Sequence, residues 1–227
     1  MKFKALVLSA ALLSLAACEK KEAAQTQINI EADEDRFSYA LGMVIGERVL
    51  KQYGDVDYDL MLEGIKAQHK DAETLITLDE AGESLQAKLE KTLAKQTEEN
   101  KAVGAAYLES HAKKEGVQVT ESGLQYIVIT EGDGIKPKAT DEVTVHYRGT
   151  LIDGTEFDSS YSRDAPTSFT LNQVIPGWTE GVQLMSVGSK YLFVIPYELG
   201  YGERGAGGSI GPYETLIFEV ELLEIKS

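Results

Sequence analysis

A chain of 227 residues exceeds one typical domain and falls short of two large ones. Its net charge of −15 disfavours nucleic acid and anionic headgroups as partners. One cysteine excludes an intramolecular disulfide, three scattered histidines lack metal-ligand spacing, and no phosphate-binding glycine loop is present; neither a metal nor a cofactor is expected.

The first residues read as an address. Lys2 and Lys4 precede an apolar run over residues 5–13, too short to span a bilayer. Leu15, Ala16 and Ala17 then lead into Cys18, a pattern that resembles a bacterial lipobox. It predicts a signal peptide over 1–17 and lipidation of Cys18; the alternative is an ordinary secretory signal with a chance cysteine. Glu19, rather than an aspartate, leans towards the outer membrane. Residues 18–31 are polar and read as a flexible tether behind the lipid anchor.

Residues 32–76 predict two short helices. Phe37, Leu41, Val44, Ile45 and Val49 form one apolar stripe, and Gly42 and Gly46 lie on one helix face, open to another backbone. Gly54 and Asp55 break this helix. Leu60, Met61 and Ile65 mark the second. Two short helices cannot enclose a core, so a partner chain is expected to cover them. A long helix follows over 77–115, opened by a capping box at Thr77 and Glu80 and stopped by Gly116. Its middle, residues 96–101, is polar all round and reads as a solvent-crossing strut.

From Gly123 the hydrophobic period changes to two. Leu124, Tyr126 and Val128 alternate with polar or outward neighbours, as do Val143, Val145 and Tyr147. Tyr191, Phe193 and Ile195, then Leu216, Phe218, Val220 and Leu222, repeat the pattern. A short helix opens at Pro176, with Trp178, Val182 and Met185 on one side. The fold class is therefore α+β, an antiparallel sheet wrapped on a short helix, preceded by an all-α arm and a long connecting helix.

Four stretches in this region resemble the FKBP family of peptidyl-prolyl cis-trans isomerases. They are Val145 to Leu151 continued by Asp153 to Ser160, Val174 to Val182, Pro196 to Gly202, and Leu216 to Leu222. The resemblance covers residues 116–227. Ser38, Tyr39, Ala40, Leu41 and Gly42 look like the dimerisation arm of the macrophage infectivity potentiator type, which implies a homodimer. It further implies a bacterial envelope lipoprotein that faces the periplasm, with surface exposure left open, and acts on unfolded or proline-containing polypeptides. By resemblance the catalytic residues are Asp158, Tyr201, Tyr147 and Phe218. Phe157, Val174, Ile175, Trp178, Arg163 and Ile210 bind substrate, with Trp178 as floor and Arg163 as the ion partner of Asp158. Thr167 stands where many members carry a rim aromatic. Gly211 and Tyr213 replace a usual proline and a smaller residue, so the glycine-rich loop 202–211 reads as mobile.

Each of these residues also has a plainer reading. Tyr147, Phe218 and Trp178 fit core positions by alternation or spacing, and Asp158 fits an ordinary turn. Tyr201, between two glycines, is the least core-like. Chain-level alternatives are a dimeric holdase that barely catalyses and a structural surface lipoprotein on the same scaffold.

Overall fold

The computed structural model describes residues 30–226. The expected signal peptide and Cys18 lie outside them. The described chain divides into two units, one ending at Val49 and one beginning at Leu50.

The first unit contains α1 (Asp33–Arg48). Asp33, Glu34 and Asp35 in its first turn and Arg48 in its last complement the helix dipole. None of its residues is buried. Phe37 is 69% exposed, and Leu41 and Val44 stand out with it.

The second unit begins with a 3₁₀ turn at Leu50–Gln52 and a left-handed Gly54. In α2 (Tyr58–His69) the Asp57 carboxylate accepts the Leu60 N–H at 3.0 Å, so a side chain caps the helix. Helix α3 (Leu78–His111) starts at the expected capping box. Thr77 Oγ1 accepts the Glu80 N–H at 3.2 Å, and the Glu80 carboxylate accepts the Thr77 N–H at 2.8 Å. The helix is unbroken through its polar middle and ends at His111, ahead of a left-handed Gly116.

Seven antiparallel strands follow: β1 (Gln118–Val119), β2 (Gln125–Thr130), β3 (Glu142–Thr150), β4 (Glu156–Ser159), β5 (Thr167–Thr170), β6 (Lys190–Ile195) and β7 (Leu216–Lys226). Their order is β1-β2-β6-β7-β3-β4, and β5 also pairs with β3. One edge of β3 is thus shared: Glu142 to Val145 pair with β5, and Arg148 to Thr150 with β4. The inward residues of β3, β6 and β7 are buried as their alternation predicts. Helix α4 (Pro176–Val182) crosses this concave face. A Cβ at Gly181 would lie 2.7 Å from the Phe193 ring, and one at Gly177 2.6 Å from Ile195 Cγ2. The two glycines, one turn apart, bring helix and sheet close enough to pack Trp178 and Val182 into the core.

The reading of residues 96–101 as a strut is corrected by the structure. The C-terminal half of α3 lies on the sheet domain along a stripe that includes Asn100, Gly104 and His111. Asn100 donates to the Pro212 carbonyl at 2.8 Å, and His111 Nδ1 meets Gln125 Oε1 at 2.8 Å. Gln125 also donates to the Leu108 carbonyl at 3.0 Å. The stripe is polar because it satisfies loop carbonyls and a buried amide, and polarity was what suggested solvent.

Candidate active site

The inner face of the sheet, α4 and the loop after β6 enclose a cleft of about 690 Å³. Trp178, 5% exposed, forms its floor. Tyr147 and Phe218 meet the indole edge-on, with ring centres at 5.2 and 5.1 Å, and Phe157 meets Phe218 at 5.4 Å. Edge-to-face contacts of this kind suit the ring quadrupoles. The Trp178 indole, buried with its Nε1, is held by packing against Tyr147, Phe169 and Phe218. Gly149 makes the arrangement possible: a Cβ there would lie 2.6 Å from the Phe157 ring and 2.7 Å from that of Phe218.

One polar cluster interrupts the apolar wall. The Tyr147 hydroxyl donates to Asp158 Oδ2, Arg163 Nη1 donates to Asp158 Oδ1, and Arg163 Nη2 donates to the Tyr147 oxygen at 2.8 Å. Burial pushes the Asp158 carboxyl up, but hydrogen bonds from Tyr147 and Arg163 and the Arg163 charge outweigh it and hold the carboxyl below its ordinary value. Burial, then the bond to Asp158, raises the Tyr147 hydroxyl. Burial, then the Asp158 charge, raises that of Tyr201, which is 41% exposed at the mouth.

Tyr147 sits where β3 passes from β5 to β4 and has no strand partner on that edge. Ser160 fills the gap. Its Oγ accepts the Tyr147 N–H at 2.8 Å, and its N–H donates to the Tyr147 carbonyl at 2.9 Å. His146 Nδ1 reaches the same Oγ at 2.9 Å. Ser160 is fully buried. The sequence reading missed it, because a serine after Asp-Ser looks like ordinary turn chemistry.

The structure brings together Tyr147, Phe157, Asp158, Val174, Ile175, Trp178, Tyr201, Ile210 and Phe218 as lining residues. Arg163 is not among them; it stands behind Asp158 and Tyr147. Phe169 and Gln173 line the cleft and were missed. Phe169 lies 5.1 Å from Trp178, two residues beyond Thr167 on the same face of β5. Its signal was the alternation Thr167, Phe169. Within loop 202–211, Ala206 and Ile210 exchange backbone hydrogen bonds at 2.9 and 3.3 Å, and the Tyr213 N–H donates to the Gly202 carbonyl at 3.0 Å. Among the described residues no group of His, Cys, Asp or Glu is placed to hold a metal.

Comparison with known proteins places this geometry. Residues 133–223 match the family described as FKBP-type peptidyl-prolyl cis-trans isomerase, and residues 34–128 match the domain amino terminal to it. The chain is 40% identical to the outer membrane protein MIP of Legionella longbeachae, covering 100% of this chain and 99% of that one. It is 44% identical to the FKBP-type isomerase FkpA of Aeromonas hydrophila, over 97% of this chain and 93% of the relative. The crystal structure of FkpA from Escherichia coli superposes with a TM-score of 0.68 at 38% identity, covering 87% of this chain and 99% of the other.

Proposed function

The chain belongs to the FKBP-type peptidyl-prolyl cis-trans isomerases, and from that premise we propose how its cleft acts and where. The cleft takes the proline of an X-Pro bond onto the Trp178 ring, between Tyr147, Phe157 and Phe218. Rotation about the C–N bond must break amide resonance, with a barrier of about 18–20 kcal/mol. The twisted amide is less charge-separated than the planar one, so a dry aromatic wall favours it. A rate gain of about 10⁴ requires about 5.5 kcal/mol of such preference. No nucleophile takes part. The Tyr201 hydroxyl donates to a substrate carbonyl, and the Ile175 N–H, just ahead of Pro176 at the start of α4, is the second donor. Asp158, kept ionised by Arg163 and Tyr147, is the single charged group facing the substrate.

The observation that carries this reading is the aromatic cleft with one closed polar cluster and no nucleophile–base pair along its lining. Purified protein lacking residues 1–17 should accelerate exchange of a peptide with an apolar residue before proline; a rate equal to buffer would overturn the reading. Substrates in the cell are unfolded envelope proteins. Anchoring through Cys18 is supported by the lipobox-like motif and by a relative named as an outer membrane protein. Cys18→Ser should release the chain from the membrane fraction, and normal retention would reject the anchor. A homodimer formed through α1 is supported by Phe37, Leu41 and Val44, which stand exposed among the described residues.

A further inference from the structure

Between Gly200 and Leu216 the chain runs out and back. Residues 206–210 line the cleft, and residues 211–215 return to β7. The return limb holds Tyr213 at a φ of 58°, a left-handed conformation that residues with a Cβ rarely adopt. Such a residue persists only where its surroundings hold it. The Gly202 carbonyl, which accepts the Tyr213 N–H at 3.0 Å, and the Tyr197 ring at 4.8 Å supply part of the hold, and helix α3 supplies the rest. The Asn100 side-chain amide donates to the Pro212 carbonyl at 2.8 Å and to Glu214 Oε1 at 3.0 Å. Two donors of one amide thus clamp the residues on either side of Tyr213. One turn away, Gly104 admits Thr215, whose Oγ1 would lie 2.7 Å from a Cβ at that glycine. Lys101 Nζ sits 4.1 Å over the Tyr213 ring.

We propose that Asn100 is a positioning residue of the isomerase site: from α3 it fixes the limb 211–215, and through it the height of Ile210 over the proline pocket. Ile210 is buried, lines the cleft, and is one residue from Gly211. Without the clamp, Tyr213 relaxes towards ordinary φ and draws the roof with it. Ile210 is among the residues proposed to bind the peptide rather than to meet the twisting amide. The effect therefore falls on KM more than on kcat. α3 is then part of the catalytic unit.

The inference rests on the cleft being the substrate site, so its test carries a reference for that assignment. Steady-state isomerisation and melting are measured on the full-length chain. Asn100→Ala should raise KM by about three- to tenfold with kcat held, the range expected from losing one or two hydrogen bonds. Asn100→Asp, which faces Glu214 with a second carboxylate, should raise KM further. Adding Glu214→Gln to Asn100→Asp restores a donor–acceptor pair and should recover part of the loss, which a merely structural role would not predict. Glu99→Ala, on the solvent face beside Lys95, should match wild type. An unchanged kcat/KM in Asp158→Ala would overturn the site assignment and the proposal with it. KM within about twofold of wild type in Asn100→Ala and Asn100→Asp, with Asp158→Ala impaired, would overturn the proposal alone. If Asn100→Asp does not fold, the KM of Asn100→Ala decides.

Discussion

Helix α4 has seven residues and buries four of them; α1 has sixteen and buries none. The short helix is held because its glycines let it lie against β6 and push Trp178 among three aromatic rings. The long one carries Phe37, Leu41 and Val44 into solvent, although it has good dipole chemistry at both ends. Helical stability in proteins comes mostly from packing an apolar face, not from length or propensity. A glycine therefore means opposite things in the two places. At Gly149 the absent Cβ is filled by two rings. At Gly42 and Gly46 nothing lies within 4 Å of where a Cβ would stand.

The largest expected effect follows from that contrast. Gly149→Val would drive a branched side chain into Phe157 and Phe218. It should cost about 1–3 kcal/mol of stability, the usual range for overpacking, and remove most of the isomerase activity. Gly46→Ala should leave the melting of a single chain unchanged or raise it, because alanine is favoured by about 1 kcal/mol within a helix. It should nevertheless weaken self-association, read by light scattering. Equal effects of the two substitutions on activity would erase the distinction between the regions.

A smaller loss is expected inside the polar cluster. Asp158→Ala leaves Arg163 and Tyr147 without their shared acceptor and should lower kcat/KM by about tenfold, a change of roughly 1.4 kcal/mol. Tyr201→Phe, which removes only a mouth hydroxyl, should cost less. Thermal melting of both variants should stay near that of wild type, since Asp158 and its ion partner Arg163 are each about half exposed.

The cleft was largely legible from sequence because its walls obey a period of two. Val145 and Tyr147, or Phe218 and Val220, declare an inward face before any coordinates exist. Phe169 followed the same rule and was passed over, since attention fell on Thr167, where the resemblance leads one to expect an aromatic. Ser160 was not legible: its role arises from the place where two strands share one edge of β3, and topology of that kind leaves no local mark. The docking stripe of α3 was misread for a related reason. Hydrophobic periodicity finds faces that exclude water, whereas Asn100 and His111 mark a face that replaces water with partners.

Dependence on pH should be slighter still, and its sign is fixed by the cluster. The Asp158 carboxyl is held below its ordinary 3.8, so its contribution is complete above that value and fades as the pH falls through the lower folded value. The Tyr147 and Tyr201 hydroxyls are raised above 10.0, so both stay protonated until the pH exceeds it. No ionisable group lining the cleft titrates between these limits, and kcat/KM should be level across them. An inflection near neutrality would require an acid or base in the mechanism and contradict catalysis by a dry aromatic wall.

The smallest expected effect, on a short peptide, separates the two regions most cleanly. Removing residues 19–75 deletes α1 and α2 and keeps α3 with its own capping box at Thr77 and Glu80. Every cleft residue remains, and so does Asn100 on the limb that carries Tyr213. Tetrapeptide isomerisation should stay within about twofold of the longer chain, below what one hydrogen bond is worth. Light scattering should report a monomer where the longer chain is a dimer, because the exposed apolar residues of α1 and α2 are gone. Refolding of a proline-limited protein should slow with the truncation. Two linked sites raise the effective concentration of the second once a long client has met the first, and a tetrapeptide cannot exploit that. A truncated chain that loses peptide activity would place part of the catalytic unit ahead of α3. One that refolds the protein as fast as the longer chain would leave the exposed face of α1 without a part in catalysis.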